Sequence, residues 1–446
     1  MNKIVACVGL SVLASNLNPV YGQNASATPN KPWNISASLR GFYDDNINTL
    51  PNGNPNKVGS TGFTVSPGAG LNWSDDQTVI SASYLYTFLY YDKKPLGNST
   101  HYDQDHLFNL ALSHAFSERY QAAVKDSFVI GQEPDQIRAA YGGGAFATFQ
   151  RVPGDNIRNS AMVNLDAQLT PLFGLAVGYG NDFTHYQDHG ASNIPGFGVG
   201  RIVNGAFVPG ASESALLDRD ENRINLDGRW QLQPQTVGVL GYMYGQVNYL
   251  SDEPIGNPGG IPSALTIPAD SRNQRSHYFY AGADHNFLPD LSGSIRMGAR
   301  YTDYFNDNHT DLNPYVHGNL QYNYAPESSV QLGINYDNTA TDAVDAAANG
   351  FARSIDALVL NGSINHRIVP NLFGSLMAQF QNSTFNGGGL DGKSEQYYLI
   401  GLDLQYRFNP YLAANIGYNY DKVESSDAVS RSFDRNRVYL GVTGSY

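Results

Sequence analysis

The sequence predicts an all-β fold: a transmembrane, antiparallel, up-and-down β-barrel of about 18 strands, with 16 as the alternative count. Three observations predict it. Apolar and polar residues alternate along many segments, tight turns recur at multiples of roughly 40 residues, and aromatic residues make up 12 % of the chain while charged residues make up only 15 %. A barrel explains this polar composition, because each strand presents only every second side chain to lipid.

The N-terminus has the features of a cleaved signal peptide, predicted at residues 1–22. Lys3 supplies the positive start, Ile4 to Ala14 form a short apolar stretch, and small residues precede a cleavage point at Gln23. The apolar stretch is too short to cross a bilayer as a helix. We expect 23–33 to be a short periplasmic segment and 34–446 to be the barrel. The only cysteine, Cys7, lies in the leader, so the mature chain has no disulfide.

Recurring tight turns set the expected strand count. Four of them share a proline followed closely by Leu, at Pro171, Pro289, Pro370 and Pro410. Turns at Ser74, Ser117, Pro234 and Pro326 complete a set of eight. Eight short turns alternating strictly with nine long connections give 18 strands, from 34–44 to 434–446. An even count with both ends in the periplasm is typical of single-chain outer-membrane barrels.

The strands alternate clearly at 222–232, 293–302 and 396–408. In 396–408, for example, Ile400, Leu402 and Leu404 share one face, whereas Asp403 and Arg407 lie on the other. A soluble sandwich also alternates, but its strands are shorter than these ten to thirteen residues, and its connections do not alternate between short and long. Strands near 119–130 and 236–249 alternate less cleanly.

A barrel in lipid must close, because an open sheet edge would leave backbone groups without partners in hydrocarbon. At about 18 strands the interior is too wide for side chains to fill, so we expect a water-filled channel. The strands begin soon after the predicted leader, which leaves no segment for an N-terminal plug.

An aromatic cluster followed by Asp recurs where strands lead into long loops. The tyrosines Tyr43, Tyr91, Tyr336 and Tyr420 are expected at the outer membrane interface, with Asp44, Asp92, Asp337 and Asp421 on the rim above them. These carboxylates either open the loops or form a ring that holds divalent cations against anionic lipid.

The inward face of the predicted strands is rich in arginine. The candidate pore-lining residues are Arg223, Arg229, Arg296, Arg300, Arg367, Arg407, Arg435 and Arg437. Clear inward acids are fewer, namely Asp166, Asp227 and Asp403. The arginines either give the pore a preference for anions or pair with carboxylates and stiffen the wall.

The third long loop, 131–158, is a candidate constriction, with Glu133 and Asp135 facing the arginine wall. The loops 184–219 and 250–272 are alternatives for a lid.

Other chemistry is not supported by the sequence. The chain has no nucleophile motif, and His185 and His189 lie in a loop rather than on a helix, so we expect no enzyme activity, metal site or cofactor. A formal net charge of −13 argues against nucleic-acid binding. The expected partners are outer-membrane lipid and small solutes or an exported polymer.

Three segments resemble the putative β-barrel porin family of bacterial outer-membrane proteins: GFYDDNI at 41–47, DHLFNLALSHAFSERY at 105–120 and RVYLGVTGSY at 437–446. In the last of these, Val438, Leu440, Val442 and the terminal Tyr446 share a face, which resembles the signal that the barrel-assembly machinery reads. The resemblance implies integral outer-membrane localisation and defines no functional residues.

Two functions remain open on the sequence. One is a passive diffusion channel for small hydrophilic solutes, with a leaning towards anions. The other is a conduit or scaffold for export of surface polysaccharide or protein, since members of the family are associated with polysaccharide and exosortase loci. A barrel enzyme is the least supported alternative.

Overall fold

The computed structural model describes residues 31–94, 100–131, 155–187, 201–203, 206–208, 212–256, 267–339, 341, 344–345, 350–426 and 432–446. Eighteen strands in the described residues form one closed antiparallel sheet. They are β1 Trp33–Asp44, β2 Ser60–Ser74, β3 Thr78–Tyr91, β4 Tyr102–Ala115, β5 Tyr120–Gly131, β6 Asn156–Gln168, β7 Phe173–Tyr186, β8 Arg219–Gln233, β9 Thr236–Tyr249, β10 Gln274–Leu288, β11 Leu291–Tyr304, β12 His309–Ala325, β13 Ser328–Thr339, β14 Ser354–Val369, β15 Leu372–Asn386, β16 Ser394–Asn409, β17 Leu412–Ser425 and β18 Phe433–Ser445.

Each strand pairs with the next, and β18 closes on β1 through a ladder that includes Leu39 opposite Val442. Just beyond this ladder, Ile35 and Tyr446 exchange two backbone hydrogen bonds of 3.0 and 2.9 Å. The predicted barrel and its count of 18 strands are therefore confirmed. Its strands hold 12 to 17 residues, longer than the ten to thirteen expected.

The eight predicted turns are confirmed as the short connections of one end of the barrel. Five contain proline as the first of two connecting residues, and the ladder before each of these five shifts in register. Proline fixes φ near the value that the first position of a tight turn needs. The register shift, an extra residue on the first strand, lets such a turn join twisted strands.

The expected strict alternation of short and long connections is wrong at one position. Only four residues, 305–308, join β11 to β12 at the loop end of the barrel. Asn308 there adopts a left-handed φ of 49°, a conformation that asparagine tolerates better than most residues.

The outward face forms an apolar band between aromatic residues. On β16, Ile400, Leu402 and Leu404 are exposed on this face. Trp73, Trp230 and Tyr446 mark the turn end, and Tyr43 and Tyr301 mark the loop end. Such a band with aromatic borders suits contact with lipid, and the turn end of such barrels faces the periplasm.

Helical structure among the described residues is confined to single turns in the connections. The α-helix α1, Glu213–Leu217, lies before β8, and Ser212 caps it by accepting a 3.0 Å hydrogen bond from the Ala215 N–H. No helix in this part of the chain is long and apolar enough to cross a membrane.

Two predicted segments fall wholly or partly outside the described residues. The signal peptide, 1–22, lies outside them, as does most of the segment 23–33. Trp33, which we placed before the barrel, is the first residue of β1.

Candidate functional site: the barrel lumen

The lumen is lined by the side chains that alternate with the lipid-facing ones. On β8, Ile224 and Leu226 face outward, so Arg223, Asp227 and Arg229 face inward. The same alternation holds across the ladders on both sides of β8, because paired residues project to the same face. The inward face of β8 is therefore polar, whereas the inward face of its neighbour β9 is mostly apolar or glycine, with Val237, Val239, Gly241 and Met243.

All eight candidate arginines lie beside a carboxylate. Three of these ion pairs are Arg229 with Asp166 at 2.8 Å, Arg296 with Asp284 at 2.8 Å, and Arg437 with Asp421 at 2.9 Å. The others are Arg223 with Asp182, Arg300 with Asp337 at 3.1 Å, Arg435 with Asp44 at 2.5 Å, and Arg367 and Arg407 with Glu327 at 2.8 and 3.9 Å.

The expectation that inward acids are fewer than arginines is wrong in this wall. We had placed Asp44, Asp337 and Asp421 on the rim and had not assigned Asp182 and Asp284, but all five face the lumen. An arginine and its carboxylate sit on different strands in each of these pairs, so the count within one strand missed the partner.

The most enclosed pair is Arg300 with Asp337. Arg300 is 3 % exposed, and its guanidinium donates to the Ser276 hydroxyl at 2.9 Å and to the backbone carbonyl of Asn338. The Tyr278 ring lies 5.1 Å from the guanidinium, and its hydroxyl donates to Asp337 at 3.3 Å. Arg300 thus connects β11 to β13 by side-chain bonds.

Those bonds lie where the backbone ladder is missing. The pairing of β12 with β13 ends at Val316 and Tyr336, although β12 continues to His309. Above that level Asn313 on β12 donates to Asp356 on β14 at 3.0 Å. Sequence reasoning missed Asn313 and Asp356, since a gap in a ladder leaves no signal in strand periodicity.

The aromatic and Asp motif is corrected in two respects. Asp44, Asp337 and Asp421 face the lumen and bind Arg435, Arg300 and Arg437, so they do not form a cation-binding rim. At the second motif Tyr90 is the outward ring, whereas Tyr91 faces inward and is 3 % exposed. No group of three or more candidate metal ligands occurs in the described parts of the chain.

The turn end of the lumen has an uneven charge distribution. Arg367 on β14 and Arg407 on β16 share the single carboxylate of Glu327, which lies in the turn between β12 and β13. The Arg407 guanidinium lies 3.9 Å from the Phe373 ring, which lies between the two arginines on β15. The side chains of Arg367 and Arg407 are 37 % and 26 % exposed, so water and solutes reach them.

Connections at the loop end fold over the lumen side of the wall. Leu216 and Leu217 of α1 pack in a buried cluster with the inward rings of Tyr186 and Tyr249 and with Ile255 of the next connection. This cluster involves the two loops that we gave as alternatives for a lid. The predicted constriction residues Glu133 and Asp135 lie outside the described residues.

Arg272 joins these connections. Its guanidinium donates to the carbonyls of Ala215 and Leu216 at 2.9 and 3.0 Å and to the carbonyl of Thr341 at 3.3 Å. It also lies 3.9 Å from the Tyr249 ring. Burial lowers the pKa of the Arg272 guanidinium, and the like charge of Arg219 lowers it further. In the same region His185 contacts Asp218 at 2.8 Å; His189 lies outside the described residues.

Comparison with known proteins gives a family match in the C-terminal part of the barrel. Residues 341–446 match the family model described as "Putative beta-barrel porin 2", so the predicted resemblance is confirmed there. No curated protein matches the chain.

Among solved structures, the chain is similar to the outer membrane protein OpdK from Pseudomonas aeruginosa, at 12 % identity and a TM-score of 0.42, over 93 % of this chain and 99 % of that one. It is also similar to a BenF-like porin from Pseudomonas fluorescens Pf-5, at 10 % identity and a TM-score of 0.43, over 93 % and 99 %.

The barrel and the family match together identify an integral outer-membrane protein with a porin-like channel fold. Porins are channels and not enzymes.

Proposed function

We propose that this porin-like outer-membrane barrel is a passive diffusion channel for small hydrophilic solutes. The observation that supports it is the closed sheet of 18 strands with polar and charged side chains on its inner face. A barrel of this size encloses more volume than its side chains fill. Water and hydrated solutes can then cross lipid without meeting the apolar band.

We further propose that the channel prefers anions, and that Arg367 and Arg407 impose the preference at the turn end. Two guanidinium groups against one carboxylate leave an excess of positive charge beside the turn that holds Glu327, and the next inward acid on β16, Asp403, lies four residues further from that turn. The other candidate arginines each have a carboxylate partner and contribute mainly to the wall. Fixed charge at a pore entrance raises the local concentration of ions of opposite sign.

Planar-bilayer recording of the purified protein tests both statements. We expect stable ohmic conductance, and a reversal potential in a salt gradient that corresponds to anion preference. The double variant Arg367→Gln/Arg407→Gln should keep the conductance and move the reversal potential towards cations. The matched control is Arg296→Gln, because Arg296 faces the same lumen with its own carboxylate.

Absence of conductance would overturn the proposal that the protein is a channel. If the double variant has the same reversal potential as the unchanged protein, the proposed role of the turn-end arginines is wrong, but the channel proposal stands.

A further inference from the structure

The outward face contains a polar patch that extends from the loop end of β8 into the apolar band. We define the polar patch as Asp126 on β5, Asn159 on β6, Asn181 on β7, and Asp220 and Asn222 on β8. Alternation places all five on the lipid side. On β5, for example, Asp126 follows Val124 and precedes Phe128 on the outward face. Asp126 therefore lies between apolar lipid-facing residues, and not at the water interface.

The members of the polar patch are joined by hydrogen bonds. Asn159 donates to Asp126 at 2.9 Å, and Asn181 donates to Asp220 at 2.6 Å and to Asn222 at 3.1 Å. Asn222 in turn donates to Asp220 at 2.7 Å. Among the described residues neither carboxylate has a cationic partner. The patch is thus ordered internally but keeps two unneutralised carboxylates on the outer face.

Lipid is a poor partner for this surface. Acyl chains offer no hydrogen bonds, and a charged side chain on the lipid face destabilises a barrel by an amount that grows with its depth. At positions comparable with Asp126, Asn159 and Asn181 on the opposite side of the barrel, the outward residues are Leu360, Ala378, Ile400, Ile416 and Leu440. Nearer the loop end both sides are polar, and Asp356, Gln396 and Asp434 are the counterparts of Asp220 and Asn222.

We propose that the polar patch is the contact surface for a second copy of this chain, so that the protein is a homo-oligomer in the outer membrane. Amide and hydroxyl groups both donate and accept hydrogen bonds, so a surface rich in them is complementary to itself. Copies inserted in the same direction are related by an axis along the membrane normal. Residues at the same depth in the membrane then face each other across the contact, so the amides of one copy lie level with those of the next.

The extent of the surface agrees with such a contact. Hydrogen-bonded polar rings continue it on both sides, with Tyr84 and His106 2.9 Å apart on β3 and β4 and Tyr242 and His277 2.9 Å apart on β9 and β10. Strands about 4.8 Å apart make the seven intervals from β3 to β10 roughly 34 Å wide, and about six residues of strand add roughly 20 Å of height. The product, on the order of 700 Å², approaches the roughly 800 Å² that each partner buries in a standard interface.

A pair of alanines gives a matched test. Ala161 faces outward inside the patch, opposite Asp126 on one side and Asn181 on the other. Ala378 faces outward in the apolar region, between Gly362 and Ile400. We expect the unchanged protein to have the mass of an oligomer in mild detergent and Ala161→Trp to have the mass of a folded monomer. Ala378→Trp should remain oligomeric.

Cross-linking in intact outer membranes provides the second measurement. The chain's only cysteine lies in the predicted leader, so Ala161→Cys and Ala378→Cys introduce single thiols. A short bismaleimide should link two Ala161→Cys chains and leave Ala378→Cys chains unlinked.

Three results would overturn the proposal: a monomeric unchanged protein that does not cross-link, a link from position 161 to a protein of different mass, or equal exposure of spin labels at 161 and 378 to lipid-dissolved oxygen.

Discussion

The two ends of the lumen use the same ion pairs in different surroundings. At the loop end, the side chains of Arg300 and Arg435 are 4 % and 7 % exposed beside Asp337 and Asp44. At the turn end, the side chains of Arg229 and Arg367 are 29 % and 37 % exposed. Exposure therefore separates arginines that build the wall from arginines that solutes can meet.

The physical basis is the cover at the loop end. Connections pack over the inner wall there, as in the cluster of Leu390, Phe385 and Val359, and they exclude water. Charges interact strongly when water is excluded, and removing one partner leaves the other charge without solvation. Exposed pairs exchange protein contacts for water at little cost. The same substitution should thus have different effects at the two ends.

The largest expected effect is that of Arg300→Ala. It leaves the largely buried carboxylate of Asp337 without its cation, and it removes the side-chain bonds that replace the missing ladder between β12 and β13. We expect a loss of about 3–5 kcal/mol in the free energy of unfolding. Urea titration of the barrel folded in phospholipid vesicles measures it.

The matched control is Arg229→Ala, which breaks the open pair with Asp166. It should cost no more than about 1 kcal/mol. Similar losses for the two variants would show that cover by the loops does not distinguish the ends of the lumen.

The next effect concerns the cover itself. Arg272→Ala removes the hydrogen bonds that join Ala215, Leu216 and Thr341, and hydrogen bonds from a charged group contribute about 1.5–3 kcal/mol. We expect faster amide hydrogen exchange in 212–218 and a larger single-channel conductance.

Arg275→Ala is the control for Arg272→Ala, because Arg275 is exposed and packs on Phe305 outside the cluster. Exchange in 212–218 that is equal in the two variants would contradict the role of Arg272.

The strand pattern and the turns were predictable from the sequence because both depend on neighbours along the chain. Period-two alternation identified Leu402 and Arg407 as members of opposite faces, and prolines such as Pro370 marked turns. Partners across the barrel were not predictable in this way. Asp44 and Arg435 come together only when the last strand closes on the first.

The weak alternation near 119–130 was informative, although in the sequence we treated it only as a reason to doubt the number of strands. The strand exists as β5, and its pattern is interrupted by Asp126 on the outward face. A break in the alternation of an otherwise regular barrel can thus mark a surface that lipid does not cover. Position alone does not reveal whether such a residue faces lipid, since that depends on the register with β4 and β6.

The smallest effect on stability is expected for Glu327→Gln. This variant tests the turn end by removing the negative charge there, whereas the arginine variants remove positive charge. Removing the shared carboxylate leaves Arg367 and Arg407 with their full positive charge, while water keeps both groups solvated. We expect the free energy of unfolding to change by less than about 1 kcal/mol and the reversal potential to move further towards anions. Glu424→Gln, which removes the partner of Lys422 at the loop end, should leave selectivity unchanged. A shift of the same size in both variants would mean that overall charge, and not the turn-end arginines, sets the preference.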